Sequence, residues 1–286
     1  MASLLNGYNA GPRQFRTLLA HPQTIVAPGA YDALSARLIE AAGFPAVYMT
    51  GFGVAASMLG RPDVGLTTMS EMVDSARRIV QAVSVPVIAD ADTGYGNAHN
   101  LVRTVREYEA AGIAAIQIED QAFPKRCGHM NGKQIVPIEE MVGKIRAASA
   151  ARRSTDLVII ARTDARAVEG LESAILRARR YYLAGADMLF VEAPESLEEI
   201  AEVARRLSGV PLLFNWAEGG KTPPVSLELL QTLGFRLVIF PVGALLAAAA
   251  AIRRTLQTLH RDGTPQASMD QLTPFSEFLD FIGLPE

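Results

Sequence analysis

The stretch "VPVIADADTG" (Val85 to Gly94) changes character halfway. It begins as a short β-branched run and ends in two aspartates, Asp90 and Asp92, followed by a glycine. Apolar runs of the same kind return along the chain as "TIVAPG", "AVYMTG", "AAIQIED", "LVIIARTD", "MLFVEA", "VPLLFN" and "LVIFPV". Between them lie segments with apolar residues at helical spacing, such as "AYDALSARLIEAAG", "NLVRTVREYEAAG" and "LESAILRARRYYLAG". "AGF", "AGI", "AGA" and "LGF" each mark a helix stopping at glycine just ahead of the next strand. Eight strands, each followed by a helix, predict an α/β fold, a (β/α)8 barrel of the TIM type, for which about 250 residues is usual. A doubly wound open sheet allows the same alternation but wants a phosphate-binding glycine loop after an early strand. "TGFGVAAS" (Thr50 to Ser57) has Gly51 and Gly53 and lacks the third glycine, so the barrel is favoured.

With 49% apolar and 20% charged residues, the 286-residue chain can bury a substantial core. A net charge of −3 gives no bias toward nucleic acid or an anionic membrane. One cysteine cannot form an internal disulfide, so the fold does not rely on an oxidising compartment. "MASLLNGYNAGPRQF" at the amino terminus lacks a basic region followed by a long apolar run, and no signal peptide is expected. "GALLAAAAAI" (Gly243 to Ile252) is about half the roughly 20 residues of a membrane helix and reads as a buried or interface helix. No linker, charge run or repeat divides the sequence. One domain over residues 1–286 is expected, in a cytoplasmic enzyme.

Polar residues fall where the strands end: Thr50, Asp90 with Asp92, Glu119 with Asp120, Arg162 with Asp164, Glu192 and Asn215. In barrels that is the catalytic face. The onset of solvent explains polarity there, but less well why carboxylates dominate three of the ends. Asp90 and Asp92, at i and i+2, share a face, and two like charges held together need a cation or a proton. Such an oxygen-rich site suits Mg2+ or Mn2+, with Glu119 joining directly or through water. The plainer alternative is a pair of solvated aspartates capping the next helix. Asp63 in "LGRPDVGLTT" is on local grounds a turn residue. Arg162 suits a bidentate clamp on a substrate carboxylate, or an ion pair with Glu192, and both can hold at once.

The only cysteine, Cys127, stands in "EDQAFPKRCGHMNGK" (Glu119 to Lys133), behind Lys125 and Arg126 and ahead of His129. If these three cations converge on the sulfur, its pKa falls, and the thiol can serve as nucleophile, base or general acid. The polar loop at about 121–135, with Gly128 and Gly132 as hinges, has the character of a lid. An exposed loop with an incidental cysteine is the alternative. His21 and His260 read as surface residues, and His99 in "GNAHN" as part of a helix start.

Taken together, "APGAYDALSARLIEAAGFPAVYMTG", "DADTGYG", "IEDQ", "KRCGH", "NWAEGGKTP" and "FPVGAL" resemble the isocitrate lyase/phosphoenolpyruvate mutase superfamily over nearly the whole chain. The resemblance implies a barrel whose last helix is swapped with a partner, giving dimers that pair into a homotetramer. It also implies Mg2+ or Mn2+ near Asp63, Asp90, Asp92 and Glu119, partly through water. Cys127 then looks like the lyases' general acid on a mobile loop with Lys125, Arg126, Gly128 and His129. Thr50, Gly51, Phe52, Arg162, Glu192 and Asn215 fall where members contact substrate, and Tyr48 is a candidate to accept a hydroxyl proton.

The implied reaction cleaves the C2–C3 bond of a 2-hydroxy di- or tricarboxylate, 2-methylisocitrate- or 2,3-dimethylmalate-like. Phe52 stands where methylisocitrate lyases carry a second glycine, and Ala217 where they carry a hydroxyl. With the "EGGKTP" run, these departures favour a smaller, more apolar acid. Carboxyvinyl-carboxyphosphonate phosphorylmutase and oxaloacetate decarboxylase or hydrolase are the alternative activities. Simple phosphoenolpyruvate mutases lack the CGH thiol.

Overall fold

A computed structural model of the chain describes residues 11–284. The first ten residues, most of the stretch read above for a targeting signal, lie outside the described residues. Eight strands appear at the eight apolar runs: β1 Ile25–Ala30, β2 Val47–Met49, β3 Val87–Asp90, β4 Ala115–Glu119, β5 Val158–Thr163, β6 Met188–Val191, β7 Leu212–Asn215 and β8 Phe235–Phe240. Each pairs in parallel with the next, and β8 returns to β1 with Ile25 opposite Leu237, closing the barrel. Gly43, Gly112, Gly185 and Gly234 of the four predicted stops all have positive φ, the left-handed conformation that ends a helix without a Cβ clash.

The period of two along a strand sorts the core. Ile25, Ala27, Tyr48, Ile88, Ala115, Ile160, Phe190 and Leu213 belong to a cluster inside the barrel, while their neighbours Val47, Met49, Ala89, Ile116, Ile118 and Leu189 pack outward under the helices. Phe15, fully buried in the same inner cluster, comes from the helix Gly11–Ala20. Arg16 of that helix donates to the carbonyls of Asp156 and Leu157, so the helix sits at the amino-terminal ends of the strands. That end is plugged with apolar side chains.

At the other end the same parity turns polar. One inward step beyond Tyr48, Ile88, Gln117, Ile160, Phe190 and Leu213 come Thr50, Asp90, Glu119, Arg162, Glu192 and Asn215. The expected polar mouth is therefore a consequence of strand register.

The long helix Gly243–Asp262 has no buried residue within one chain, which excludes the buried role for "GALLAAAAAI". Leu246, Ile252 and Leu256 on it are each at least half exposed. Among the described residues no helix is long and apolar enough to cross a membrane.

Candidate active site

A cavity of about 270 Å³ opens at the carboxyl ends of the strands. Tyr48, Thr50, Asp90, Glu119, Arg162, Glu192 and Asn215 line it from the barrel, and Phe52 and Asp63 from the segments after β2. Lys125, Cys127, Gly128 and His129 line it from above. Those four belong to a loop whose base is drawn together by a bridge between Gln121 and Ile135 and by the Ala122 N–H to the Gln134 carbonyl. Inside the loop the Gln121 amide exchanges two hydrogen bonds with the backbone of Arg126, at 2.8 and 2.9 Å. The chain segment expected as a lid thus lies over the cavity.

The cavity has an acid flank. Lys125 Nζ stands 2.5 and 2.6 Å from the two oxygens of Asp63 and 2.7 Å from Asp92 Oδ1. Burial pulls this ammonium down, but Asp92, Asp63 and the other carboxylates outweigh it and hold its pKa well above the usual lysine value. Asp92 does not continue the strand. Its φ of 47° is a left-handed conformation uncommon outside glycine, asparagine and aspartate, and it turns the carboxylate toward Lys125.

Asp90 Oδ1 accepts the Asp92 N–H at 3.0 Å, and Glu119 Oε2 lies 3.4 Å from Arg162 Nη1. Burial raises Asp90, pushes Asp92 up to about 7 and lifts Glu119 well above the carboxylate range, with Lys125 offsetting part of each rise. One lysine and a shared guanidinium leave four carboxylates under-neutralised. Gly51, outside the lining, is nevertheless required beside this flank: a Cβ there would stand 2.6 Å from Asp90 Oδ2.

Opposite lies a basic flank. Arg162 donates Nε to Asp164 Oδ2 at 2.9 Å and Nη2 to Oδ1 at 3.0 Å, with Glu192 Oε1 3.7 Å away. The expected Arg162–Glu192 pair is present, and Arg162 reaches Glu119 as well. Burial alone would raise Asp164, but Arg162 and Lys133 outweigh it and hold its pKa at about 2. Arg166, the other arginine of the "RTDAR" run, points away and pairs with Glu195 and Glu199.

Three expectations require correction. Lys125, Arg126 and His129 do not converge on the sulfur. Lys125 is spent on carboxylates, and Arg126 is exposed, reaches the Asn131 carbonyl and lies outside the cavity lining. His129 turns toward Glu192, 3.2 Å from Nε2. The thiol is accordingly raised: burial dominates, and the His129 N–H and Arg162 offset only part of it. A protonated thiol suits a proton donor and excludes a resting thiolate. Secondly, Tyr48 cannot serve as a resting base. Its hydroxyl donates to Gln117 Oε1 at 3.3 Å, and burial holds the phenol well above its usual pKa. Thirdly, His129 is not a cation here, since burial lowers it despite Glu192. The Lys221 N–H donates to Nδ1, so the neutral ring carries its proton on Nε2, facing Glu192.

Several lining residues were not singled out as site residues in the sequence: Phe190, Glu218, Gly220, Val242 and Leu246, three of them inside the quoted runs "NWAEGGKTP" and "FPVGAL". The segment Ala217–Lys221 meets the lid directly, with Lys221 Nζ 2.6 Å from Asn131 Oδ1. A Cβ at Gly220 would stand 2.7 Å from His129 Nδ1. His21, His99 and His260 are exposed, as read. The cap beside His99 is Asn97, which accepts the His99 and Asn100 N–H groups.

A closed parallel barrel with a carboxylate flank, a guanidinium and a thiol at its carboxyl end defines an enzyme site for acidic substrates. Residues 15–260 match the family model described as phosphoenolpyruvate phosphomutase. The chain is 50% identical to 2,3-dimethylmalate lyase of Eubacterium barkeri, covering 95% of this chain and 93% of the relative. It is 48% identical to 2-methylisocitrate lyase of Aeropyrum pernix, covering 94% and 86%. A crystal structure of 2,3-dimethylmalate lyase superposes with a TM-score of 0.92 at 43% identity, over 97% of this chain and 93% of that one. A phosphonopyruvate hydrolase solved with oxalate and Mg2+ superposes at 0.88 and 34% identity, over 96% and 95%. The chain belongs to the isocitrate lyase/phosphoenolpyruvate mutase superfamily. Within it the chain is a carbon–carbon lyase, the activity named for the two relatives above.

Proposed function

We propose that this lyase is metal-dependent and splits a branched 2-hydroxy dicarboxylate into a 2-oxo acid and a second carboxylic acid. The observation that carries this is a single cavity lined by under-neutralised carboxylates on one wall and by the buried Cys127 thiol in its roof. Among the described residues no three carboxylate, thiol or imidazole groups converge closely enough to cage an ion unaided. Mg2+ or Mn2+ takes one or two carboxylates and fills its octahedron with water and substrate oxygens.

The residues fit such an ion. Among the described residues Glu119 Oε1 is a buried acceptor with no partner, and Asp90 Oδ1 accepts the Asp92 amide. Asp90 and Glu119 would hold the ion, with Asp63 and Asp92 acting through water and Lys125. When bound, it would neutralise a 2-hydroxy carboxylate and favour loss of the hydroxyl proton.

The chain's own groups do the rest. Arg162, clamped by Asp164, offers its guanidinium to a second carboxylate. It is the one arginine on the wall, and the other fixed cation, Lys125, is already engaged. A tricarboxylate would leave a third charge without a cation. Phe52, Ala217, Val242 and Leu246 give the remaining wall an apolar surface for alkyl branches. As the C2–C3 bond breaks, its electron pair stays on C3 and C2 becomes the carbonyl of the 2-oxo acid. Cys127, carrying its proton at neutral pH, would protonate C3 and release the second acid, and the thiolate left behind would regain from solvent, once the lid opens, a proton equivalent to the one the hydroxyl gave up.

The loop at 121–135 opens and closes over these events, excluding water while the carbanion exists. The exposed helix Gly243–Asp262 packs on a second copy of the chain, consistent with swapped dimers and a homotetramer in the cytoplasm.

The test is turnover with Mg2+ on 2,3-dimethylmalate, 2-methylisocitrate, isocitrate, oxaloacetate and phosphonopyruvate, following 2-oxo acid release. Dimethylmalate-like acids are expected to exceed the tricarboxylates in kcat/KM. Turnover of phosphonopyruvate or oxaloacetate alone would overturn the reading.

A further inference from the structure

Lys133 lies near the end of the lid segment and is almost wholly buried, its side chain 1% exposed. Its ammonium has two partners, the carbonyl of Gly128 and Asp164 Oδ1 at 2.8 Å. Gly128 lines the cavity, and Asp164 stands behind its Arg162. Gly128 directly follows Cys127 and is pressed so close to Glu192 and Arg162 that any Cβ would collide with their charged ends. Asp164 grips Arg162 through both oxygens. Its backbone N–H is held from behind by Asp120 Oδ1 at 2.9 Å, and Asp120 in turn accepts from Thr163 and Tyr181.

We propose that Lys133 is a positioning residue: it ties the turn carrying Cys127 to the anchored Asp164–Arg162 pair, and so sets the thiol against the substrate clamp. A buried ammonium needs partners to offset its desolvation, and these two supply it. The proposal takes its reaction from the lyase reading, but the tie itself can be tested without turnover.

Because the chain has one cysteine, thiol modification reports on the lid alone. The full-length protein with saturating Mg2+ is treated with iodoacetamide, comparing wild type, Lys133→Met and Lys133→Arg, with melting temperatures taken alongside. Lys133→Met is expected to react about tenfold faster or more, the weight of one charge-assisted hydrogen bond on a local opening. Lys133→Arg, which keeps a donor, is expected to recover part of the protection. In turnover, Lys133→Met should lower kcat about tenfold while KM stays within about threefold, because Asp164 still holds the clamp. Should Lys133→Met fail to fold, Asp164→Asn removes the anionic partner at constant shape and is expected to speed modification likewise. Faster modification without turnover on any acid of the panel would sustain the tie and sink the lyase reading. Wild-type thiol reactivity in every folded variant of the pair would overturn the proposal.

Discussion

The two flanks of the cavity are built from the same materials and balanced in opposite ways. On the β3–β4 side four carboxylates share one lysine and part of an arginine, and burial leaves Asp92 at about 7. On the β5–β6 side Arg162 and Lys133 together hold Asp164 at about 2. The first flank lacks part of its countercharge, whereas in the second Arg162 and Lys133 both bind Asp164 and make a fixed frame. The proposed function divides along that line: one side would recruit an ion, and the other would orient substrate and lid.

The largest effect is expected where the frame is cut. Arg162→Met leaves Asp164, Glu119 and Glu192 buried without their guanidinium, a loss of about 3–5 kcal/mol by thermal or denaturant unfolding. Added Mg2+ should not restore it. Full rescue by Mg2+ would mean that the two flanks are not independent.

Removing the proposed proton donor in the roof leaves both flanks standing. Cys127→Ser should lower lyase turnover by about a hundredfold or more, the weight of a placed general acid, with unchanged Mn2+ affinity. Undiminished turnover would remove the thiol from the mechanism.

How much of this was legible in the sequence follows the same division. The strands, the barrel and the inward polar ends were legible because alternation and strand register are local properties. So were Asp90, Glu119, Arg162, Glu192 and Asn215, which simply extend an inward-facing apolar row. Where the basic side chains turn was not legible. Lys125, Arg126 and His129 are neighbours in sequence, yet they diverge to Asp92, the Asn131 carbonyl and Glu192. Adjacency in a loop says nothing about direction. Lys133 sits among polar residues with no pattern to mark it as buried. Val242 and Leu246 reach the cavity only because β8 ends beside it, a fact of closure that no local pattern carries.

A smaller effect should follow pH. Carboxylates raised on folding bind protons more readily in the native metal-free state than in the unfolded chain. Their contribution therefore favours the fold below the ordinary carboxylate range and is lost as pH rises through about 7 for Asp92. An ion that needs ionised ligands works in the opposite sense. The increase in melting temperature on adding Mg2+ should be larger at pH 8 than at pH 6. An increase independent of pH would detach the ion from the acid flank.

The smallest effect marks the background. Arg180 and Glu139 form an exposed pair at 2.6 Å, side chains 43% and 68% exposed. Arg180→Ala should change stability by about 1 kcal/mol or less and leave thiol reactivity and turnover alone.

The most direct measurement is a Mn2+ titration followed by electron paramagnetic resonance on wild type, Asp90→Asn and Glu119→Gln. One ion per chain is expected in the wild type. Outer partners of a metal site are alone worth 10–100-fold in affinity, so each substitution should weaken binding by about a hundredfold or more. Wild-type affinity in both folded variants, or no ion bound at all, would contradict an acid flank built to hold a metal.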